Sequence, residues 1–128
     1  MTEPRFLLDS NVCIYLLEGK SDATRDRLQQ CVPGEVVTSA VVFAEVVRGV
    51  DPTDLRALEA AQRFFALIQA LPFDRAAAEA YSRMPFRRGR FDRLIAAHAL
   101  ALGVTLVTAN EADFADVPGL RIENWTHA

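Results

Sequence analysis

The stretch Arg5-Phe6-Leu7-Leu8-Asp9-Ser10-Asn11 decides how the rest of the chain is interpreted. Its continuous apolar run, Phe6 to Leu8, is typical of a short strand that is buried on both faces. Asp9 follows at the end of that strand, and one of the next two residues can cap the helix predicted over 12–17. Because ligands of open parallel sheets bind beyond the carboxyl ends of the strands, Asp9 is a candidate metal ligand. A role as a simple helix cap explains Asp9 about equally well.

The composition is typical of one globular domain, which we expect to span residues 1–128. Half of the residues are hydrophobic (51%) and 24% are charged, so the chain can bury a substantial core. No apolar run reaches the roughly 18 residues that a membrane helix needs, and no signal peptide precedes Asp9. The two cysteines, Cys13 and Cys31, lack metal-ligand spacing and fit reduced thiols. We therefore expect a cytoplasmic protein without a membrane segment.

The charge distribution is more informative than the net charge. A formal net charge of −3 argues against indiscriminate binding of nucleic acid. Five arginines nevertheless fall in one short window, namely Arg83, Arg87, Arg88, Arg90 and Arg93. Such a cluster suits a polyanion or an acidic partner segment. A solvated turn that happens to be rich in arginine is the competing interpretation.

Apolar periodicity and turn residues predict strands that alternate with helices. The predicted strands and extended segments cover 6–8, 35–38, 71–73, 104–107 and 120–123. The predicted helices cover 12–17, 23–32, 40–50, 54–70, 75–84 and 91–102. This alternation predicts the α/β fold class, with a wound sheet whose strand ends share one edge.

Three further acids occupy positions from which they can reach that edge. Glu45 is the only acid in its predicted helix; it either pairs with Arg48 or projects into a polar cleft, and its apolar neighbours favour the cleft. Asp92 lies in the first turn of another helix, where the helix dipole alone can explain a negative charge. Asp113 follows the strand predicted over 104–107, whose end carries the same hydroxyl, amide and acid groups as the end of the first strand.

Carboxylates that meet at one edge repel each other, so protons or a hard cation must neutralise them. Oxygen ligands suit Mg²⁺ or Mn²⁺. Such an ion can activate water and stabilise charge on a phosphoryl group during an in-line displacement. Because the arginine-rich window adjoins Asp92, a phosphodiester in RNA or DNA is the natural substrate.

Several motifs together resemble the PIN-domain ribonucleases, and specifically the VapC toxins of prokaryotic toxin–antitoxin pairs. Each motif is short, but their order and spacing cover nearly the whole chain. The matching segments are Leu7–Asn11, Ser39–Gly49 with Glu45, Phe91–Ala99 with Asp92, Leu106–Phe114, Val117–Leu120 and Glu123–Trp125.

The resemblance implies a three-layer αβα domain with a central, mainly parallel sheet and a metal-dependent endoribonuclease activity. It implies that Mg²⁺, or alternatively Mn²⁺, is bound by three carboxylates, those of Asp9, Glu45 and Asp92. Many family members carry an acid where this chain has Asn110, so Asp113 is our candidate for the fourth acid, ahead of Glu111. The residues expected to orient the acids or a bound water are Ser10, Asn11, Thr108 and Asn110.

The resemblance also implies partners. VapC toxins are held inactive by a cognate VapB-type antitoxin, whose extended C-terminal segment approaches the acidic site, and they typically form homodimers. The surfaces that we consider for these contacts are the Val12, Tyr15 and Leu16 face and the helix over 57–70, although core packing is the default interpretation of each. The arginines expected to contact RNA or antitoxin are Arg87, Arg88 and Arg90.

Two other functional classes fit parts of the sequence. A phosphatase that forms an aspartyl-phosphate also places an Asp after its first strand. Such enzymes need a second Asp two residues later, where this chain has Asn11, and a late lysine, whereas the only lysine is Lys20. A PIN-like scaffold that binds RNA or protein without cutting it is the second alternative, and the three acids argue against it.

Overall fold

A computed structural model describes residues 2–86 and 91–127 of the chain. Its centre is a five-stranded sheet in the order β3-β2-β1-β4-β5, and every neighbouring pair is parallel. The strands are β1 (Phe6–Leu8), β2 (Val36–Ser39), β3 (Ala70–Leu71), β4 (Thr105–Val107) and β5 (Ile122–Glu123). The predicted α/β class is confirmed, and the sheet is parallel throughout its described strands.

Helices connect the strands and complete the predicted three-layer αβα arrangement. They are α1 (Ser10–Glu18), α2 (Asp22–Gln29), α3 (Ala40–Arg48), α4 (Leu55–Leu67), α5 (Arg75–Ser82) and α6 (Phe91–Leu102). A short 3₁₀ turn, η1, covers Glu111–Phe114. None of the helices in the described part of the chain is both long and apolar enough to cross a membrane.

Four helices end earlier than predicted because their last residues turn into loops or the sheet. The helix predicted over 23–32 ends at Gln29. The helix predicted over 54–70 ends at Leu67, since Ile68 leaves helical geometry (φ −107°, ψ 89°) and is buried near β3. The helices predicted over 40–50 and 75–84 likewise end at Arg48 and Ser82. Apolar periodicity continues past a helix end when the following residues are also buried.

Strand β1 lies in the middle of the sheet, as its uniformly apolar sequence predicts. Leu7 and Leu8 are fully buried, and β1 pairs with β2 on one side and with β4 on the other. Because β2 and β3 extend the sheet in one direction and β4 and β5 in the other, the strand order reverses between β1 and β4. The carboxyl ends of these two strands form the crevice where ligands of wound sheets bind.

The start of α3, the helix that carries Glu45, is fixed by a buried polar pair. Ser39 caps α3 by accepting a hydrogen bond from the backbone N–H of Val41 at 3.1 Å. Its Oγ also lies 2.8 Å from Nδ1 of His98 on α6, and both side chains are buried. Burial lowers the pKa of His98, so the imidazole is neutral at pH 7. The buried pair therefore ties α3 to α6.

Replacing Ser39 with Ala should cost more stability than loss of a cap alone. The substitution Ser39→Ala removes the α3 cap and also leaves Nδ1 of His98 buried without its hydrogen-bond partner. We expect the free energy of unfolding to fall by about 2–4 kcal/mol, the sum of a cap and a buried unsatisfied group. The matched control is Asp54→Ala, which removes only the exposed cap of α4 at 3.1 Å and should cost about 1 kcal/mol. Urea denaturation measures both values, and equal losses would contradict the role of the buried pair.

Candidate active site

Asp9 is both the cap of α1 and the innermost acid of the candidate site. Its backbone N–H donates to the carbonyl of Val107 at 3.0 Å, which continues the β1–β4 pairing beyond the end of β1. Its Oδ1 accepts from the N–H of Val12 at 3.0 Å, so Asp9, rather than Ser10 or Asn11, is the N-cap. The capping interpretation is confirmed, and the capping oxygen also fixes the side chain at the crevice, where the metal-ligand interpretation needs it. The side chain is buried, with 6% of the residue exposed.

The four predicted acids line one cavity at the carboxyl edge of the sheet. The cavity has a volume of about 120 Å³. Its lining consists of Asp9, Ser10, Asn11, Glu45, Asp92, Ile95, Asn110, Asp113 and Phe114. Thr108 is absent from this lining, but its side chain hydrogen bonds to Asp9 from behind. Residues far apart in sequence therefore face the same small space.

Glu45 projects into this cavity from α3. Its Oε1 accepts a hydrogen bond of 2.7 Å from Oγ of Ser10, at the start of α1. Within the described residues Glu45 forms no ion pair with Arg48, so the interpretation as a cleft acid is correct. The hydrogen bond holds the carboxylate half-buried at the edge of the crevice.

Asp92 and Asp113 line the cavity from α6 and η1. Asp92 lies in the first turn of α6 and is half-buried. Asp113 lies in η1, where its backbone N–H donates to the carbonyl of Asn110 at 3.1 Å. Glu111 does not line the cavity, and its Oε1 instead accepts from Asn124 at 3.1 Å. Position therefore favours Asp113 over Glu111 as the fourth acid.

The electrostatics of the cavity disfavour the ionised form of Asp9. Burial raises the pKa of Asp9, and the nearby negative charges of Glu45 and Asp92 raise it further. Hydrogen bonds from Thr108 and from the N–H of Val12 oppose this shift. A carboxylate surrounded by other carboxylates and by protein is the environment in which a bound cation contributes most.

The donor set of the cavity fits a hard divalent cation. Its polar groups are carboxylate, hydroxyl and amide oxygens, which suit Mg²⁺ or Mn²⁺. Within residues 2–86 and 91–127, no group of three or more His, Cys, Asp or Glu side chains is positioned to hold a metal ion directly. Mg²⁺ can bind without such a group, because it keeps several waters and binds through one or two carboxylates.

The arginine-rich window does not form a single surface patch. Arg83 is exposed, but Arg93 is buried with 1% of the residue exposed, so its assignment to a cationic surface was wrong. Arg87, Arg88 and Arg90 lie outside the described residues. Helical periodicity could have indicated the burial of Arg93, since it shares a face of α6 with Ala96 and Ala97.

Sequence reasoning also missed the apolar part of the cavity lining. Ile95 and Phe114 are almost completely buried and line the cavity beside the acids. Ile95 follows Asp92 by three residues on α6, a spacing that places both on one side of the helix. An apolar lining limits the access of water and strengthens electrostatic interactions among the acids.

Comparison with known proteins identifies the family of this chain. The PIN domain family profile matches residues 6–120. The chain is 33% identical to a tRNA(fMet)-specific endonuclease VapC of Shigella flexneri, over 95% of this chain and 98% of the relative. It is 27% identical to ribonuclease VapC2 of Rickettsia felis, over 94% and 97% of the two chains.

Solved structures give the same result. A DNA-bound VapBC structure from Salmonella typhimurium has a TM-score of 0.85 at 28% identity, and covers 95% of this chain and 98% of that chain. A Rickettsia felis VapBC2 structure, bound to a promoter DNA fragment, has a TM-score of 0.84 at 26% identity, with 94% and 98% covered. The chain therefore belongs to the PIN-domain family, among the VapC ribonucleases of toxin–antitoxin pairs. Nucleases of this family generally depend on a divalent metal ion.

The unfavourable ionisation of Asp9 leads to a prediction about the free energy of unfolding. Because its pKa is raised above 3.8, ionisation of Asp9 costs the folded state stability as pH rises from 3.8 through the folded pKa, and the cost persists at pH 7. The isosteric Asp9→Asn keeps the oxygen that caps α1. We expect it to raise the free energy of unfolding at pH 7 in EDTA by about 0.5–2 kcal/mol, as for other stabilising substitutions.

A matched control is Asp74→Asn, which alters the cap of α5 at 3.0 Å, outside the cavity. This control should not gain stability. Denaturant unfolding in EDTA measures both variants, and a less stable Asp9→Asn protein would contradict the prediction. Added Mg²⁺ should stabilise the original protein more than Asp9→Asn, because binding to the folded state raises its stability.

Proposed function

We propose that this chain is a Mg²⁺-dependent endoribonuclease that hydrolyses RNA phosphodiesters at the acid-lined cavity, with Mn²⁺ as an alternative ion. We propose further that residues 1–128 act as one PIN domain in the cytoplasm. The observation that supports the site is the meeting of Asp9, Glu45, Asp92 and Asp113 around one cavity at the switch point of the sheet. These acids come from four separate segments of the chain. Packing of the core gives no reason for four carboxyl groups to line the same cavity.

Each cavity residue receives a role from its contacts. Asp9, Glu45 and Asp92 would hold the ion, in part through waters that the ion keeps. When bound, the ion lowers the pKa of a water molecule and neutralises charge on a phosphoryl oxygen. Asp113, which is exposed at the mouth of the cavity, would accept a hydrogen bond from a water there. The groups that orient the acids or lie at the mouth are Ser10 on Glu45, Thr108 on Asp9, and the amides of Asn11 and Asn110.

The two alternative classes receive less support. Asn11, where an aspartyl-phosphate enzyme needs its second acid, lies at the cavity but cannot donate or accept a proton as a carboxyl group does. Lys20 does not line the cavity, and its Nζ lies 3.1 Å from Glu18 in an exposed ion pair. A non-cutting scaffold would need Asp9 only as the cap of α1, a role that an uncharged Ser or Asn fulfils without burying a charge.

The first RNA to test is a tRNA. Two relatives, from Shigella flexneri and Salmonella typhimurium, are named as tRNA(fMet)-specific endonucleases. At 33% and 28% identity, these names suggest a substrate class for this chain. Sequencing of the RNA ends produced on brief expression would identify the RNA and the cleavage position.

A cognate VapB-type antitoxin is the proposed protein partner. An apolar groove of about 650 Å³ adjoins the acidic cavity and shares Glu45 with it. It is lined by Ala40, Val41, Ala44, Glu45, Arg48, Phe73, Phe91 and Leu94. An antitoxin segment with apolar side chains, seated here, would block access to Glu45. Val12 cannot contribute to a contact surface as predicted, because it is fully buried.

Two parts of the partner prediction, the arginine contacts and the homodimer, have no place in the contacts described above. Arg87, Arg88 and Arg90, the predicted contacts of RNA or antitoxin, lie outside the described residues. Homodimer formation also stays a prediction, with Tyr15, Leu16 and the described helix α4 as candidate surfaces. Light scattering of the isolated chain, at several concentrations, would measure its oligomeric state.

Substituting the cavity acids should abolish cleavage without unfolding the protein. Asp92→Asn and Glu45→Gln each remove one negative charge while keeping the shape of the side chain. We expect kcat for RNA cleavage in Mg²⁺ to fall more than about 100-fold, beyond the usual effect of residues around a metal site. A fluorescent RNA substrate, with circular dichroism as a check of folding, measures the effect.

The matched control is Glu111→Gln, which neutralises a neighbouring acid that faces Asn124 rather than the cavity. It should keep cleavage within about threefold of the original rate, as expected for a surface substitution. Full activity of Asp92→Asn would reject the proposed site. Calorimetric titration with Mg²⁺ gives a second test, since the scaffold alternative expects no binding that depends on Glu45.

A further inference from the structure

We propose that Arg93 is a positioning residue that anchors η1 to the start of α6 and thereby sets the location of Asp113 in the acid-lined cavity. This inference rests on the proposed function for its catalytic consequence. The anchor itself rests only on the contacts of Arg93, which no part of the proposed chemistry requires.

The location of Arg93 is unusual for an arginine. It directly follows Asp92 in the first turn of α6, yet only 1% of the residue is exposed. Arginine is rarely buried so completely unless it is paired, because removing a guanidinium from water is costly. The burial therefore calls for specific partners.

Among residues 2–86 and 91–127, the partners of Arg93 belong to the segment that carries Asp113. Nη2 of Arg93 donates to the backbone carbonyl of Asp113 at 2.5 Å and to Oδ1 of Asp116 at 2.9 Å. One nitrogen of Arg93 thus binds η1 through the Asp113 carbonyl and the residues after η1 through the Asp116 carboxylate. Hydrogen bonds from a charged donor are stronger than neutral ones, so this contact is well suited to hold a loop.

The Arg93 contact adds to the hydrogen bonds that η1 makes with its own neighbours, among them the bond from the Asp113 N–H to the Asn110 carbonyl at 3.1 Å. The turn η1 is only four residues long, and its first residue is preceded by Asn110, whose side chain makes no capping hydrogen bond. The buried side chains of Phe114 and Val117 attach the segment to the core. The bond from Arg93 adds a restraint at the backbone of Asp113 itself.

The remaining donors of Arg93 indicate that stability alone does not explain the residue. Its Nε and Nη1 are buried and have no hydrogen-bond partner among residues 2–86 and 91–127. Buried donors of this kind carry a free-energy cost that an apolar side chain of similar length would avoid. The placement of η1 beside Asp92 accounts for the presence of Arg93 despite this cost in stability.

The central variant is Arg93→Met, which keeps an unbranched side chain but removes all donors. Asp116, with 32% of its side chain exposed, can then turn to water, so the variant should fold. Arg93→Lys keeps the charge on a shorter side chain and provides a second variant should Met fail to fold. Arg75→Met is the matched control, since it removes an exposed ion pair with Glu79 on α5, outside the cavity lining.

The first measurement is amide hydrogen exchange of residues 110–117, which needs neither metal nor RNA. We expect exchange of the Asp113, Ala115 and Val117 amides to become about tenfold faster in Arg93→Met, less so in Arg93→Lys, and unchanged in Arg75→Met. Exchange in β1 and β4 should stay constant. Unchanged exchange in η1 would overturn the anchor, whether or not the protein cleaves RNA.

The second measurement is steady-state RNA cleavage. We expect Arg93→Met to lower kcat about 10- to 100-fold, as loss of a residue that orients a metal-site group does, while KM for RNA stays within about threefold of the original. The Mg²⁺ concentration that gives half-maximal activity should rise, and excess Mg²⁺ should restore part of the rate.

Faster exchange with unchanged kcat and unchanged Mg²⁺ dependence would overturn the positioning role. Failure of the original protein to cleave any RNA would instead reject the proposed function, and the exchange experiment alone would still decide whether Arg93 anchors η1. The two failures are therefore distinguishable.

Discussion

The repulsion between carboxylates at one edge of the sheet is the constraint on which this structure depends. Asp9 is buried with Glu45 and Asp92 close enough to raise its pKa, and only two hydrogen bonds oppose that shift. A fold can hold such a group only if the surrounding core is stable enough to bear the cost. The fully buried β1 and its two parallel neighbours supply that stability directly beneath the acids.

The helices do more than cover the sheet, since their first turns determine where the acids point. Asp9 caps α1 with one carboxylate oxygen, and the next residue, Ser10, donates to Glu45 on a different helix. Ser39 caps α3 and binds His98 of α6, so the helices that carry Glu45 and Asp92 share a buried link. The hydrogen bonds at these helix ends therefore also help to position the residues of the cavity.

Much of the fold and of the site could be predicted because local patterns encode them. The uniformly apolar β1 predicted the central strand, and strand-end acids predicted the cavity, although Asp9 itself rather than a following residue proved to be the cap. The bond between Ser10 and Glu45 could not be predicted, since it depends on how two distant helices pack. Arg93 was misassigned because arginine clusters suggest a surface, and only the helical face of α6 reveals its burial. The ends of α4 and α5 depended on tertiary packing in the same way.

The placement of β4 beside β1 has a consequence for synthesis of the protein. Phe6 emerges from the ribosome long before its partner Thr105 and the cavity residue Asp113. Pairings between such distant segments form late, because the chain between them must first be closed. A nascent chain that has not yet reached β4 therefore cannot assemble the acid-lined cavity, and a cell that makes this toxin meets its activity only after that strand has been translated.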